Sequence, residues 1–239
     1  MDNIPKVVHY CWFGRGEMPE LTEKCIKSWK ENLPDYEIKM WSEDNFDIQS
    51  NIYVKEAYTA KKYAFVADYV RLYALLNEGG IYMDTDVEII KPLDRFLEHE
   101  AFTGFQTVDE LLTGLIAAKP GDNWVKENFD VYKDKKFIKS DGTFDMTANV
   151  LAITNISKKM GFKRGNDFQI LTSGLAVYPI EYFCAKDYVT NRLCVTENTY
   201  AIHHFAGSWL PTKEKVKLKI RGIIGARMYE KFKKVLLNK

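Results

Sequence analysis

Two aspartates one residue apart stand inside an apolar run that follows a double glycine: Gly79-Gly80-Ile81-Tyr82-Met83-Asp84-Thr85-Asp86-Val87-Glu88-Ile89-Ile90. In a straight strand Asp84 and Asp86 face the same side, because side chains alternate with period two. Like charges on one face repel unless a cation or a proton lies between them. A hard divalent ion resolves the repulsion, and Mg²⁺ or Mn²⁺ uses one or two carboxylates together with substrate phosphates. A bare Asp-X-Asp is equally what a solvated strand end looks like, so its surroundings decide between the two.

Those surroundings are informative. The residues from Tyr58 to Glu78 carry a broad apolar face at helical spacing and lead directly into the double glycine. Gly79 and Gly80 supply the backbone freedom to end a helix and turn into a strand. Asp68 and Arg71 lie three residues apart on that helix, hence side by side. On an open surface such a pair contributes little, but amid so much apolar surface it is expected to be partly buried and to face a ligand. Pro5 to Phe13 reads as an opening strand, β-branched and aromatic, closed by Gly14-Arg15-Gly16. Trp12 and Phe13 fall at its C-terminal end, where α/β folds bring strands to a ligand crevice; core packing explains aromatics there equally well.

The remaining elements follow from periodicity. A helix is expected over 19–32, a strand over 36–41, and one strand through 80–90 with the aspartates in its middle. Further strands are expected at 101–106, 111–118, 168–171, 175–178, 182–185 and 199–205, and helices at 122–132 and 146–160.

Of 239 residues, 46% are hydrophobic and 14% aromatic, which suits one large domain with a sizeable core. No stretch reaches the roughly 18 apolar residues that span a bilayer, and the N-terminus lacks the pattern of a signal peptide. Cys11, Cys25, Cys184 and Cys194 show no Cys-X-X-Cys spacing and read as reduced thiols of a cytoplasmic protein. The net charge of +1 hides an asymmetry: residues 213–239 hold ten Lys/Arg against two Glu, a net +8, so the rest carries a net −7. The expected organisation is a body over 1–211 and a basic, amphipathic helical tail over 212–239. The tail either docks on an anionic membrane face or packs on the body with its basic side solvated.

Three ordered stretches resemble the sugar transferases that carry an Asp-X-Asp motif. They are Ile4-Pro5-Lys6-Val7-Val8-His9-Tyr10-Cys11-Trp12-Phe13-Gly14, then Ala67-Asp68-Tyr69-Val70-Arg71-Leu72-Tyr73 with Gly79 to Asp86, then Ala201-Ile202-His203-His204-Phe205-Ala206-Gly207-Ser208-Trp209. The similar enzymes include capsular-polysaccharide and α-mannosyl transferases and, more distantly, the catalytic domains of clostridial glucosylating toxins. The resemblance implies a GT-A fold, a Rossmann-like α/β sandwich, here with a C-terminal basic extension. It implies a metal-dependent glycosyltransferase using Mn²⁺ or Mg²⁺, with catalytic weight on Asp84, Asp86 and Arg71.

By position, Trp12 and Phe13 would hold the nucleotide base and Tyr82 would lie near the ribose. Asp84 would contact ribose or sugar and reach the metal, which Asp86 would bind directly. Asp68 and Arg71 would grip the donor sugar, Arg71 also standing near the phosphates. His204 or Ser208 would complete the metal shell, and Trp209 would donate to a phosphate. His203, on the opposite side of a strand from His204, is expected to be buried and structural. The chain departs from the resembling proteins in the middle, where a Thr-Gly-Pro-like turn is replaced by Gly142-Thr143-Phe144-Asp145-Met146-Thr147-Ala148-Asn149. Asp145 and Asn149 are candidates for lining the acceptor side.

The expected donor is a nucleotide-sugar, UDP-hexose ahead of GDP-mannose. The acceptor is an oligosaccharide or lipid-linked saccharide, and the setting is surface-polysaccharide synthesis in the cytoplasm, peripheral to the inner membrane face. The resembling enzymes mostly retain configuration, so the resemblance implies retention, which needs no side-chain base; inversion would need a carboxylate base, with Asp145, Asp109 and Glu110 as candidates. Two other readings stand beside this one. A haloacid-dehalogenase-like phosphatase would use Asp84 as nucleophile, and a non-catalytic protein would only bind a nucleotide-sugar. No nucleic-acid module is present in the body, and no nucleic-acid partner is expected.

Overall fold

The computed structural model describes residues 3–188 and 190–207. The expected basic tail, together with Ser208 and Trp209, lies outside the described residues.

The strands are β1 (Val7–Cys11), β2 (Glu37–Trp41), β3 (Gly80–Met83), β4 (Val87–Ile89), β5 (Ala101–Thr107), β6 (Glu110–Leu111), β7 (Leu115–Ala118), β8 (Gln169–Ile170), β9 (Leu175–Tyr178) and β10 (Ala201–His203). The helices are α1 (Glu20–Asn32), α2 (Ile52–Thr59), α3 (Tyr63–Glu78), α4 (Asn123–Asp130), α5 (Asn149–Lys159) and the short α6 (Ile180–Phe183). A mixed sheet runs in the order β2-β1-β3-β7-β5-β9-β8, with β6 paired to β5. The β2–β1–β3 part is parallel and β7 runs antiparallel to β3. A separate two-stranded ribbon joins β10 to β4.

Period-two alternation divides the core between the two faces of the sheet. Cys11, Tyr82 and Ile116 point to the α2–α5 side, where they join Phe65, Val66, Leu72 and Trp124. Tyr10, Ile81, Met83 and Leu115 point to the other side and join Cys25 and Trp29 of α1. Because β1 lies between β2 and β3, the chain reverses direction across the sheet at β1. In an open α/β sheet such a switch point, at the carboxyl ends of the strands, forms the ligand crevice. Trp12 follows β1 and Asp84 follows β3, so both sit at that edge.

Four expectations are corrected. The helix expected over 58–78 is two helices, broken where Lys61 adopts a left-handed φ of 55°. The first of them begins at Asn51, whose side chain accepts from the backbone N–H groups of Tyr53 and Val54, a cap that was readable in the sequence. The strand expected over 80–90 is interrupted: β3 ends at Met83 and a turn closed by Val87 N–H to Asp84 O (3.0 Å) carries the aspartates. The stretch 111–118 is likewise split between β6 and β7. The strand expected over 182–185 is α6 and its exit, because Tyr182 and Phe183 are apolar for packing around Phe96 rather than for a ladder. All four cysteines are free.

Candidate active site

The two aspartates are held from opposite sides. Tyr82 and Asp84 share the α3 side of β3 and its exit. The Tyr82 hydroxyl donates to Asp84 Oδ1 at 3.0 Å, and the Arg71 guanidinium lies over the Tyr82 ring at 4.6 Å. Arg71 Nη2 donates to Asp68 Oδ1 at 2.8 Å and stands 3.3 Å from Asp84 Oδ1, while Nη1 donates to the Thr113 carbonyl at 2.6 Å. Arg71 is 4% exposed and its Nε has no hydrogen-bond partner among the described residues. Burial pushes the Asp68 carboxyl up to about 6, with Arg71 pulling the other way. Burial disfavours the Arg71 charge too, but Asp84 first and then Tyr82 and Asp68 outweigh it and raise its pKa. The network keeps Arg71 charged and aims it at Asp84.

Asp86 belongs to the ribbon. The β10–β4 register sets Ile202 opposite Glu88 and His203 opposite Val87. The chain then crosses Asp86: His204 N–H donates to Asp86 O at 2.9 Å and Ala206 N–H to Asp86 Oδ2 at 2.7 Å. His203 Nε2 stands 3.3 Å from Asp86 Oδ1. Burial opposes both charges, yet the pair prevails: Asp86 is lowered and His203 raised, with the Cys184 thiol also beside the imidazole.

One ligand atom from each of Asp84, Asp86 and His203 lies within 4.8 Å of the other two, the only such group of three or more among the described residues. Two carboxylates and an imidazole suit a hard or borderline divalent ion. Gly114 leaves the space open. A Cβ there would come within 2.9 Å of His203 Cε1 and 3.1 Å of Asp84 Oδ2, and the Gly114 carbonyl accepts the Asp84 N–H at 2.8 Å. The residues present therefore fit a divalent cation.

The expected shell named His204 or Ser208; the histidine that the structure groups with Asp84 and Asp86 is His203. His204 Nε2 is bonded to Glu88 Oε2 at 2.7 Å, and Lys24 Nζ reaches the same oxygen at 2.8 Å. Alternation correctly separates the two histidines, but only the register against β4 tells which of them meets Asp86. Tyr82, expected near the ribose, is 1% exposed and supports Asp84. Phe13 is 7% exposed and packs edge-on against Phe46, so it is core rather than a base platform. Trp12 remains half-buried at the crevice edge. Asp145 is engaged by Lys135 at 3.3 Å and is not a member of the Asp84–Asp86–His203 group. The sequence signals did not single out Gly114 or Thr113, and a glycine between two strands carries no mark of what its missing Cβ would have met.

Residues 19–103 match the family described as glycosyltransferase sugar-binding region containing DXD motif. Two curated relatives are from Schizosaccharomyces pombe. Inositol phosphoceramide mannosyltransferase 3 is 33% identical over 103 residues, covering 41% of this chain and 29% of the relative. Inositol phosphoceramide mannosyltransferase 1 is 26% identical over 113 residues, covering 43% of this chain and 34% of the relative. The chain thus spans about a third of the length of the curated relatives it matches. Among solved structures, the PaToxG glycosyltransferase superposes with a TM-score of 0.51 at 16% identity, covering 66% of this chain and 70% of that one. The fold is accordingly similar to that of GT-A glycosyltransferases, and Asp68, Arg71, Asp84 and Asp86 all fall within the stretch, residues 19–103, that matches the DXD-containing sugar-binding region.

Proposed function

We propose that the chain transfers a hexosyl group from a nucleotide-sugar to a hydroxyl of a saccharide acceptor, using a divalent cation held by Asp84, Asp86 and His203. The convergence of those three side chains at the carboxyl edge of β3, beside the buried charge of Arg71, carries the reading.

When bound, Mn²⁺ or Mg²⁺ supplies Lewis-acid neutralisation of the departing nucleoside diphosphate. The chain's own residues do the rest. Asp86 and Asp84 would offer carboxylate oxygens to the cation, and His203 would offer its imidazole in the neutral form. Arg71, fixed by Asp68, Tyr82 and the Thr113 carbonyl, places a permanent positive charge where diphosphate oxygens gather. Trp12 offers a flat apolar face to the base. Ser208 is kept as a proposed further ligand of the cation and Trp209 as a proposed donor to a phosphate. With Asp145 paired to Lys135, no further carboxylate joins the Asp84–Asp86–His203 group among the described residues, which supports retention with the leaving phosphate taking the acceptor proton.

The names of the curated relatives support hexosyl transfer to a lipid-borne acceptor, consistent with a role in surface glycan synthesis and peripheral membrane contact by 212–239. No helix among the described residues is long and apolar enough to cross a membrane. The phosphatase reading, with Asp84 as nucleophile, is not favoured by the family match.

The test is nucleotide release from a panel of UDP- and GDP-sugars with Mn²⁺, comparing the wild type with Asp86→Asn. Release from one donor, abolished by EDTA and in the variant, is expected. A wild type that neither releases nor binds any nucleotide in the presence of metal would sink the proposal. Nucleotide binding without turnover, with or without a saccharide acceptor, would instead identify a binding protein.

A further inference from the structure

We infer that Glu43 is a positioning residue for the nucleobase: it fixes the loop after β1 that presents Trp12. The inference rests on the nucleotide-sugar reading above and extends it to residues outside the metal cluster.

A shallow cleft of about 180 Å³ opens at the carboxyl ends of β1 and β2, lined by Trp12, Arg15, Met40, Ser42 and Glu43 among others. It lies on the same sheet edge as Asp84, one strand over, at the switch point. Its wall is the loop 12–16. The Trp12 N–H donates to Trp41 O at 2.8 Å, and its indole N–H curls back to Gly16 O at 2.8 Å. Within that loop Gly14 and Arg15 both have positive φ, 92° and 55°, a backbone shape that few sequences hold unaided.

Glu43 holds it. One carboxylate oxygen, Oε1, accepts the Gly14 N–H at 2.6 Å and the Tyr58 hydroxyl at 2.9 Å. Burial works against the charge, but these two bonds and Arg15 keep the carboxyl below its usual range. Glu43 leaves the turn after β2, whose Ser42 N–H is capped by Asn45 Oδ1 at 2.9 Å, and Tyr58 comes from α2. Three separate elements therefore meet on one oxygen behind the Trp12 loop. The other bridge across the cleft, Arg15 to Asp44, has side chains 64% and 69% exposed and contributes little rigidity. An ionised acceptor on a backbone N–H is among the stronger hydrogen bonds, and a loop held in its binding shape loses less freedom when the base arrives.

The experiment is titration calorimetry in Mn²⁺ with three probes: UDP, GDP and inorganic pyrophosphate, which has no base. Glu43→Ala is expected to weaken the nucleoside diphosphate that the wild type binds by about tenfold or more. It should leave pyrophosphate and Mn²⁺ affinities unchanged. Glu43→Gln, which can still accept, should recover most of the loss. Tyr58→Phe keeps the test alive should Glu43→Ala fold poorly: it should cost nucleotide a few-fold and pyrophosphate nothing. Equal weakening of pyrophosphate and nucleotide, or no weakening of either, would overturn the inference while leaving the nucleotide-sugar reading intact. A wild type that binds pyrophosphate and metal but neither nucleotide would overturn both.

Discussion

His203 Nε2 stands 3.3 Å from Asp86 Oδ1, while the adjacent His204 turns away to Glu88 at 2.7 Å. Two neighbouring imidazoles thus have separate partners, one grouped with Asp84 and Asp86 and one joined with Lys24 of α1 on Glu88 of β4. His203→Asn is expected to lower Mn²⁺ affinity on the order of 100-fold, at or beyond the effect of losing an outer-shell partner. His204→Gln should change it by less than about threefold, since Lys24 still pairs with Glu88. Measured by Mn²⁺ titration, the reverse order would return His204 to the shell.

The same pair sets a pH dependence. Without metal, Asp86 holds the His203 proton despite burial. A cation must displace that proton, so Mn²⁺ affinity should rise about tenfold per pH unit while His203 is protonated. The folded pKa of His203 lies above its unfolded value of about 6.5, so its ion pair stabilises the metal-free protein fully below that value. That contribution is lost as pH rises through the folded pKa. Calorimetry at pH 7 in buffers of different ionisation enthalpy should report about one proton released per ion. No release would contradict the charged pair.

Arg71 and Asp68 have side chains only 5% and 12% exposed. Arg71→Met strands Asp68 in the core and should cost about 3–5 kcal/mol, a fall in Tm on the order of 10 °C. The double variant Asp68→Asn/Arg71→Met should regain much of the stability but none of the nucleotide release. Full stability in the single variant would mean the pair is not the buried brace described here. Arg71→Lys keeps the charge but loses the fork that reaches Asp68 and Thr113 together, so thermal melts should place it between the two.

Gly114 is a test of space rather than of backbone freedom. In Gly114→Ala the new methyl would sit 2.9 Å from His203 Cε1 and 3.1 Å from Asp84 Oδ2, so one of the two must move. Mn²⁺ affinity is expected to fall by about tenfold or more with a smaller effect on Tm. An unchanged affinity would place the cation elsewhere.

Much of this was legible before any coordinates. The double glycine, the Asp-X-Asp and the Asp68/Arg71 pair are local patterns, and the structure brings Asp68, Arg71 and Asp84 into one network. What failed was non-local. The turn at 84–87 is set by the return of β10 on β4, and the exchange of His204 for His203 depends on a register between segments distant in sequence. An aromatic at a strand end serves a core and a site alike, and burial sets Phe13 in the core; Tyr82, placed near a ribose by resemblance, is buried and bonded to Asp84. Gly114 acts by a side chain it does not have. The α2 cap at Asn51 is legible in the sequence, but the longer apolar pattern of α3 outweighs it.

The central claim is that Asp84, Asp86 and His203 hold a divalent cation that recruits a nucleoside diphosphate. Electron paramagnetic resonance of Mn²⁺, titrated into the wild type and Asp86→Asn with and without UDP or GDP, tests it most directly. The account predicts one Mn²⁺ per chain in the wild type, held more tightly with one of the nucleotides, and both effects lost in Asp86→Asn. Equal Mn²⁺ binding in the two proteins, or nucleotide binding indifferent to EDTA, would contradict it.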